Sequence, residues 1–284
     1  MVTLPFQQVD VFTSVPFKGN PVAVVLEGDG LSAEQMRTIA RWTNLSETTF
    51  LCTPTDPGAD YWLRIFTPAN ELPFAGHPTV GSAHAALRHG VKPKVPGRLV
   101  QQCGKGLVPI SIDGERLFFA LPAAKFTEPD RTQLTGLAEA LGTTTTALRP
   151  ATLVDVGPVW FTAQLPSAEA VMALRPSMEK LGALADIGIT GVTVFGMAAS
   201  NGADLEVRSF APSQGVPEDP VCGSGNGSVA ALIQRERLLP GYGYVASQGR
   251  CIGRDGRVEV RFGENGTIWV GGQAVTCVEG SIRF

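Results

Sequence analysis

Leu63–Pro73 reads LRIFTPANELP, and 144 residues further on Val207–Pro217 reads VRSFAPSQGVP. Arg64 and Arg208, Phe66 and Phe210, Pro68 and Pro212, and Pro73 and Pro217 are identical. About one match in eleven positions arises by chance, and the offset is close to half the chain, where a duplicated domain puts its copy. At an offset of 145, Val9–Val11 (VDV) recurs as Val154–Val156 and Phe50 falls on Phe195. The chain is therefore expected to fold as two similar lobes. The first spans residues 1–120, completed by a C-terminal strand near 270–284, and the second spans 121–270.

Local patterns repeat as well. FQQVDVF and NPVAVVL read as strands around the turn SVPFKGN, because β-branched residues cluster between Pro and Gly breakers. Ser32 and Gln35 have the spacing of a capping box, and Met36, Ile39 and Ala40 give the following helix one apolar face. ETTFLCT and YWLRIFT read as further strands. Pro78 opens a second helix, through His89, at a first-turn position where its missing N–H costs nothing. That helix is small and apolar nearly all round, which predicts burial on every side. SVAALIQRERLL, after the Gly-rich loop CGSGNG, is its counterpart. The expected class is α+β: two pseudo-symmetric lobes, each a barrel-like bent sheet around a buried central helix. The amino termini of the two buried helices offer N–H groups to an anion such as a carboxylate.

In NLSETTF (Asn44–Phe50), Glu47 is the one charged residue. At the 145 offset it aligns with Val192, so the second lobe carries an apolar residue where the first carries an acid. Packing does not call for the carboxylate, although a solvated glutamate at a strand end is the plain alternative. ELPFAGHPT supplies Glu71 and His77, and PEDPVCGSGNG supplies Glu218, Asp219, Cys222, Ser224 and a run of backbone N–H groups. Acids, an imidazole, a thiol and a hydroxyl at two helix starts make a proton-transfer set. Asp219 and Ser224 can equally serve as helix caps, with Cys222 packed inside.

Several classes are excluded. A net charge of -3 offers no footprint for nucleic acid. No apolar run reaches the roughly 18 residues of a membrane span, and MVTLPFQQVD lacks a secretory pattern, so the expectation is a cytoplasmic protein. Five cysteines at scattered spacings, with no C-x-x-C pair, fit neither a disulfide framework nor zinc, and the three histidines lack a metal motif. GSGNGS approaches a dinucleotide fingerprint but follows PEDPV rather than a strand.

QVDVFTSVPFKGNPVAVV, NLSETTF, RIFTPANELPFAGHPTVGSA and EDPVCGSGNGSVAAL, in that order, resemble the PhzF-like proteins of phenazine biosynthesis, which share the diaminopimelate epimerase-like fold. The resemblance implies a cofactor-independent isomerase acting on a small carboxylate, and a homodimer. It implies that Glu47 is the acid/base group, and that His77, Asp219 and Ser224 assist it or hold substrate. Gly76, Pro78, Cys222 and Gly223 then line the substrate site, with Gly76 and Gly223 presenting N–H groups. Cys222 stands where many members carry threonine. Epimerases and racemases of this fold pair that cysteine with a second thiol, and the matching first-lobe position here is Ala75. A racemase or epimerase using Glu47 and Cys222, and a non-catalytic metabolite-binding protein, are the alternatives.

Overall fold

A computed structural model describes residues 2–197 and 202–284, and the chain divides into two compact units, Met1–Ala120 with Gly271–Phe284, and Leu121–Val270. The first unit contains strands Thr3–Val11 (β1) and Asn20–Val25 (β2), helix Ala33–Thr43 (α1), and strands Thr48–Cys52 (β3), Tyr61–Phe66 (β4) and Glu71–Leu72 (β5). Helix Gly76–Arg88 (α2) and strands Arg98–Cys103 (β6), Gly106–Asp113 (β7) and Arg116–Ala120 (β8) follow. The capping box at Ser32 forms, with Gln35 answering Ser32. Its apolar face, Met36, Ile39 and Ala40, packs on Phe50 and Phe66. On the sheet's other side α2 is buried along most of its length. The polar atoms it brings inside are paired: Ser82 with Thr49 at 2.8 Å, and Thr79 with Gln101 at 3.1 Å.

The second unit runs through Lys125–Thr127 (β9), Arg131–Leu141 (α3), Ala151–Asp155 (β10), Val159–Gln164 (β11), Ala168–Ala173 (α4), Met178–Ala183 (α5), Gly191–Met197 (β12), Leu205–Ala211 (β13) and Val216–Asp219 (β14). Gly223–Glu236 (α6), Gly243–Gln248 (β15), Gly256–Phe262 (β16) and Ile268–Gly272 (β17) complete it. The C-terminal strand Ala274–Arg283 (β18) returns to the first unit and pairs antiparallel with β1. Leu137 and Leu141 of α3 pack with Phe161, Val192, Val194 and Phe210, and α6 is buried on the opposite side of its sheet.

Two expectations about the buried helices change. The second helix starts at Gly76 rather than Pro78, and CGSGNG is not a loop, because α6 begins at Gly223 with Cys222 as its cap. Gly225 is needed there for close approach: a Cβ would stand 2.6 Å from Ser209 Oγ and 2.7 Å from Thr193 Oγ1.

Strand pairing also corrects the repeat alignment. Thr48 faces Phe66, and Val192 faces Phe210; Ala23 faces Thr48, and Phe161 faces Val192. Val192 therefore matches Thr48, and the counterpart of Glu47 is Gly191 rather than Val192. Phe50 likewise matches Val194, so its coincidence with Phe195 is accidental. Beyond β13 an extra 3-10 turn, Pro212–Gln214, shifts the correspondence. Ile65 faces Leu72 while Ser209 faces Asp219, which pairs Leu72 with Asp219 and Pro73 with Pro220, not Pro217.

Among the described residues no helix is long and apolar enough to cross a membrane.

Candidate active site

Glu47 immediately precedes β3, where its main-chain carbonyl accepts from Ala23 N at 3.4 Å. Its side chain is 15% exposed, and Oε2 lies 3.4 Å from His77 Nε2. The two atoms face each other without hydrogen-bond alignment, and both are buried with no other partner. Unsatisfied buried polar atoms cost about 1–3 kcal/mol each, so a pair of them marks a place where something other than stability is served. His77 is the second residue of α2, whose cap Ala75 is extended and gives no side-chain bond. Gly76 and Pro78 flank it in that first turn, and Pro78 has no N–H to leave unpaired. Behind the ring, Asn20 Nδ2 lies 3.4 Å from Nδ1. Asn20 is itself fully enclosed at the start of β2.

Burial pushes the His77 imidazole below its usual range, against the pull of Glu47 and the Pro21 backbone. It also pushes His84, further along α2, down to about 4, with Arg88 adding to the effect. An imidazole whose pKa falls on folding binds fewer protons in the native than in the unfolded state. Its contribution is therefore complete above the ordinary value of 6.5 and is lost as the pH falls towards the native value. Stability is expected to drop between about pH 6.5 and 4, and His84→Gln should flatten that drop by on the order of 2 kcal/mol. Denaturant titrations of both proteins across that range test it; identical slopes would show that His84 does not carry the effect.

In the second unit Asp219 ends β14, and its Oδ1 accepts from Val221 N at 3.1 Å. Cys222 caps α6, its Sγ accepting from Gly225 N at 3.2 Å. Burial first, and then the charge of Asp219, push the thiol well above its usual range, so it stays protonated. Ser224 Oγ accepts from Trp160 Nε1 at 3.1 Å and lies 3.7 Å from Cys222 Sγ. Gly223, between the two, is buried in the first turn. Buried Gln248 clamps this segment: it accepts from Cys222 N at 3.1 Å and Asn226 Nδ2 at 2.7 Å, and donates to Asp219 O at 3.0 Å.

The structure thus gathers Glu47, His77, Gly76 and Pro78 in one unit, and Asp219, Cys222, Gly223 and Ser224 in the other. It removes Glu71 and Glu218 from the proton-transfer set. Each is held by both oxygens on an arginine of the preceding strand, Arg64–Glu71 at 2.8 and 2.8 Å and Arg208–Glu218 at 3.0 and 2.8 Å. A cavity of about 520 Å³ beside Arg208 and Glu218, rimmed by Arg175 and Cys251, includes none of the candidate residues. Asn20, Trp160, Asn226 and Gln248 were not singled out by sequence. Asn20 sits in the breaker run KGNP and Asn226 in GSGNG, which are weak signals, while nothing local marks Trp160 or Gln248. Among the described residues no three His, Cys, Asp or Glu side chains gather as metal ligands would.

Residues 9–280 match the PhzC-PhzF family, described as phenazine biosynthesis-like protein. Antisense-enhancing sequence 1 of Schizosaccharomyces pombe is 41% identical, with 97% of each chain covered. Trans-2,3-dihydro-3-hydroxyanthranilate isomerase of Pseudomonas chlororaphis is 36% identical over 96% of this chain and 97% of its own. The crystal structure of a Bacillus anthracis phenazine biosynthesis protein of the PhzF family superposes with a TM-score of 0.88 at 25% identity, each chain fully covered. A family match over residues 9–280, with relatives 41% and 36% identical over nearly the whole chain, shows that this protein belongs to the PhzF family of isomerases.

Proposed function

We propose that the protein is a cofactor-independent isomerase that relocates a proton on a small carboxylated, ring-bearing metabolite. Glu47 takes the proton from one carbon and returns it to another as the double bond shifts, so the reaction is balanced without a redox partner. The observation that carries this reading is the Glu47–His77 pair, two facing polar atoms left unsatisfied in a buried setting. Asn20 Nδ2 donates towards Nδ1, which leaves the hydrogen of the neutral His77 ring on Nε2, facing the Glu47 carboxylate, so the imidazole steadies Glu47 while it is ionised. Asp219 and Ser224 are assigned to holding the substrate, with Gly76 and Gly223 offering N–H groups to its carboxylate. The same reading carries a cytoplasmic homodimer.

The substrate class follows the Pseudomonas chlororaphis relative, whose name specifies trans-2,3-dihydro-3-hydroxyanthranilate. Incubation of the protein with that compound in deuterated buffer is expected to give an isomer carrying solvent deuterium. Absence of both turnover and exchange, there and across a panel of cyclic carboxylates, would remove the proposal.

The racemase reading with Cys222 as second base fares worse. A thiol held well above its usual range by burial is a poor base at neutral pH.

A further inference from the structure

Where the first unit places Glu47 the second has Gly191, and the strand register supplies the reason. In the parallel pair β11–β12, Trp160 stands beside Gly191; the matching strand position in β2 is occupied by Val22. A Cβ on Gly191 would meet Trp160 Cζ3 at 2.8 Å and Phe210 O at 2.3 Å. The indole therefore occupies the direction in which an acid would project. Trp160 is 3% exposed, and its single polar atom is spent on Ser224 Oγ at 3.1 Å.

Ser224 is the second residue of α6, as His77 is of α2, so the duplicated template carries two different pairs at one location: carboxylate with imidazole, and indole with hydroxyl. A serine hydroxyl has one hydrogen and two acceptor sites, whereas an indole N–H can only donate. Once the indole fills one acceptor site, the hydroxyl is biased towards giving its hydrogen away. Cys222 Sγ lies 3.7 Å from the same oxygen, where either atom can be the donor, and already accepts from Gly225 N at 3.2 Å. Ser224 is half-buried, so its hydrogen can reach a ligand.

We propose that Trp160 is a positioning residue that commits the Ser224 hydroxyl to donating its hydrogen to an oxygen of the bound acid. The substrate then needs an acceptor oxygen, carboxylate or carbonyl, at that point. This rests on the reading of Ser224 as a substrate-holding residue.

The test has two arms. In the first, needing no ligand, the four tryptophan indole N–H signals are recorded by nitrogen-15 NMR, with Trp160 assigned by its loss in Trp160→Phe. Ser224→Ala is expected to move the Trp160 signal and speed its exchange with solvent; an unmoved signal would overturn the proposal. In the second, trans-2,3-dihydro-3-hydroxyanthranilate is the probe. Trp160→Phe keeps the ring and loses the N–H, and should raise KM about fivefold to tenfold with kcat nearly unchanged, the scale of one neutral hydrogen bond. Ser224→Ala should do at least as much, and the double variant should be no worse than Ser224→Ala alone. Multiplying effects would mean that Trp160 acts only on packing and would also overturn it. If the parent does not turn over the probe, the fault lies with the proposed function, and the NMR arm alone decides the role of Trp160.

Discussion

Glu47→Gln is expected to lower turnover by roughly 100-fold or more while leaving fold and ligand binding in place, the scale of a lost general acid/base group. Amide and carboxyl have nearly the same shape, and Glu47 makes no aligned side-chain hydrogen bond with His77 whose loss would disturb packing. The companion is Cys222→Ala. The thiol is held protonated and caps α6 through Gly225 N, so its removal should cost turnover only a few-fold, through the loosened helix start. Deuterium incorporation from solvent is measured in both variants on any accepted substrate. Parent-rate exchange in Glu47→Gln together with a dead Cys222→Ala would transfer the role of base to the thiol.

Glu218→Ala is expected to destabilise the fold by about 3–5 kcal/mol, the range for stripping one partner from a buried ion pair. The Arg208 and Glu218 side chains are 6% and 10% exposed. Arg208 also holds the carbonyls of Val171 and Leu174 at the end of α4, at 3.2 and 3.1 Å. Removal of the carboxylate leaves a guanidinium enclosed with no counter-charge on its fork. The equivalent pair in the first unit is the control. Arg64 and Glu71 are 18% and 39% exposed, so solvent screens them and Glu71→Ala should cost no more than about 1 kcal/mol. Denaturant unfolding of the two variants reads the difference, and equal losses would show that burial does not set the worth of these pairs.

Much of the architecture was legible because duplication leaves the same residues under the same constraints. Arg64 and Arg208 each cross to a carboxylate on the next short strand, and Phe66 and Phe210 each enter a core, so these four survive in register. The capping box at Ser32 was legible because its chemistry is local. The register of the repeat beyond those anchors was not. A three-residue turn at Pro212–Gln214 slides Pro217 under Pro73 in the linear alignment, and only the ladder hydrogen bonds show that Pro220 is the true counterpart. The same one-residue ambiguity set Glu47 against Val192 instead of Gly191. Of the candidate site residues, His77, Asp219 and Ser224 were visible as chemistry-bearing residues beside helix starts, and Glu47 as the lone acid ahead of a strand. Their supports were not: Trp160 lies 64 positions before Ser224 and Gln248 lies 26 after Cys222, and no local pattern reports contacts across such distances.

The enclosed glycine at position 191 also bears on what this protein can become. A second carboxylate in the other half of the repeat cannot be gained by one substitution, because any side chain there collides with the Phe210 carbonyl and the indole beside it. Shrinking Trp160 first would open a void and loosen Ser224; changing Gly191 first would overpack the strand. Neither ordering clears the way, since the Phe210 carbonyl stays 2.3 Å from a Cβ at position 191 whatever becomes of the indole, so on this backbone the asymmetry between the two halves is not undone one side chain at a time.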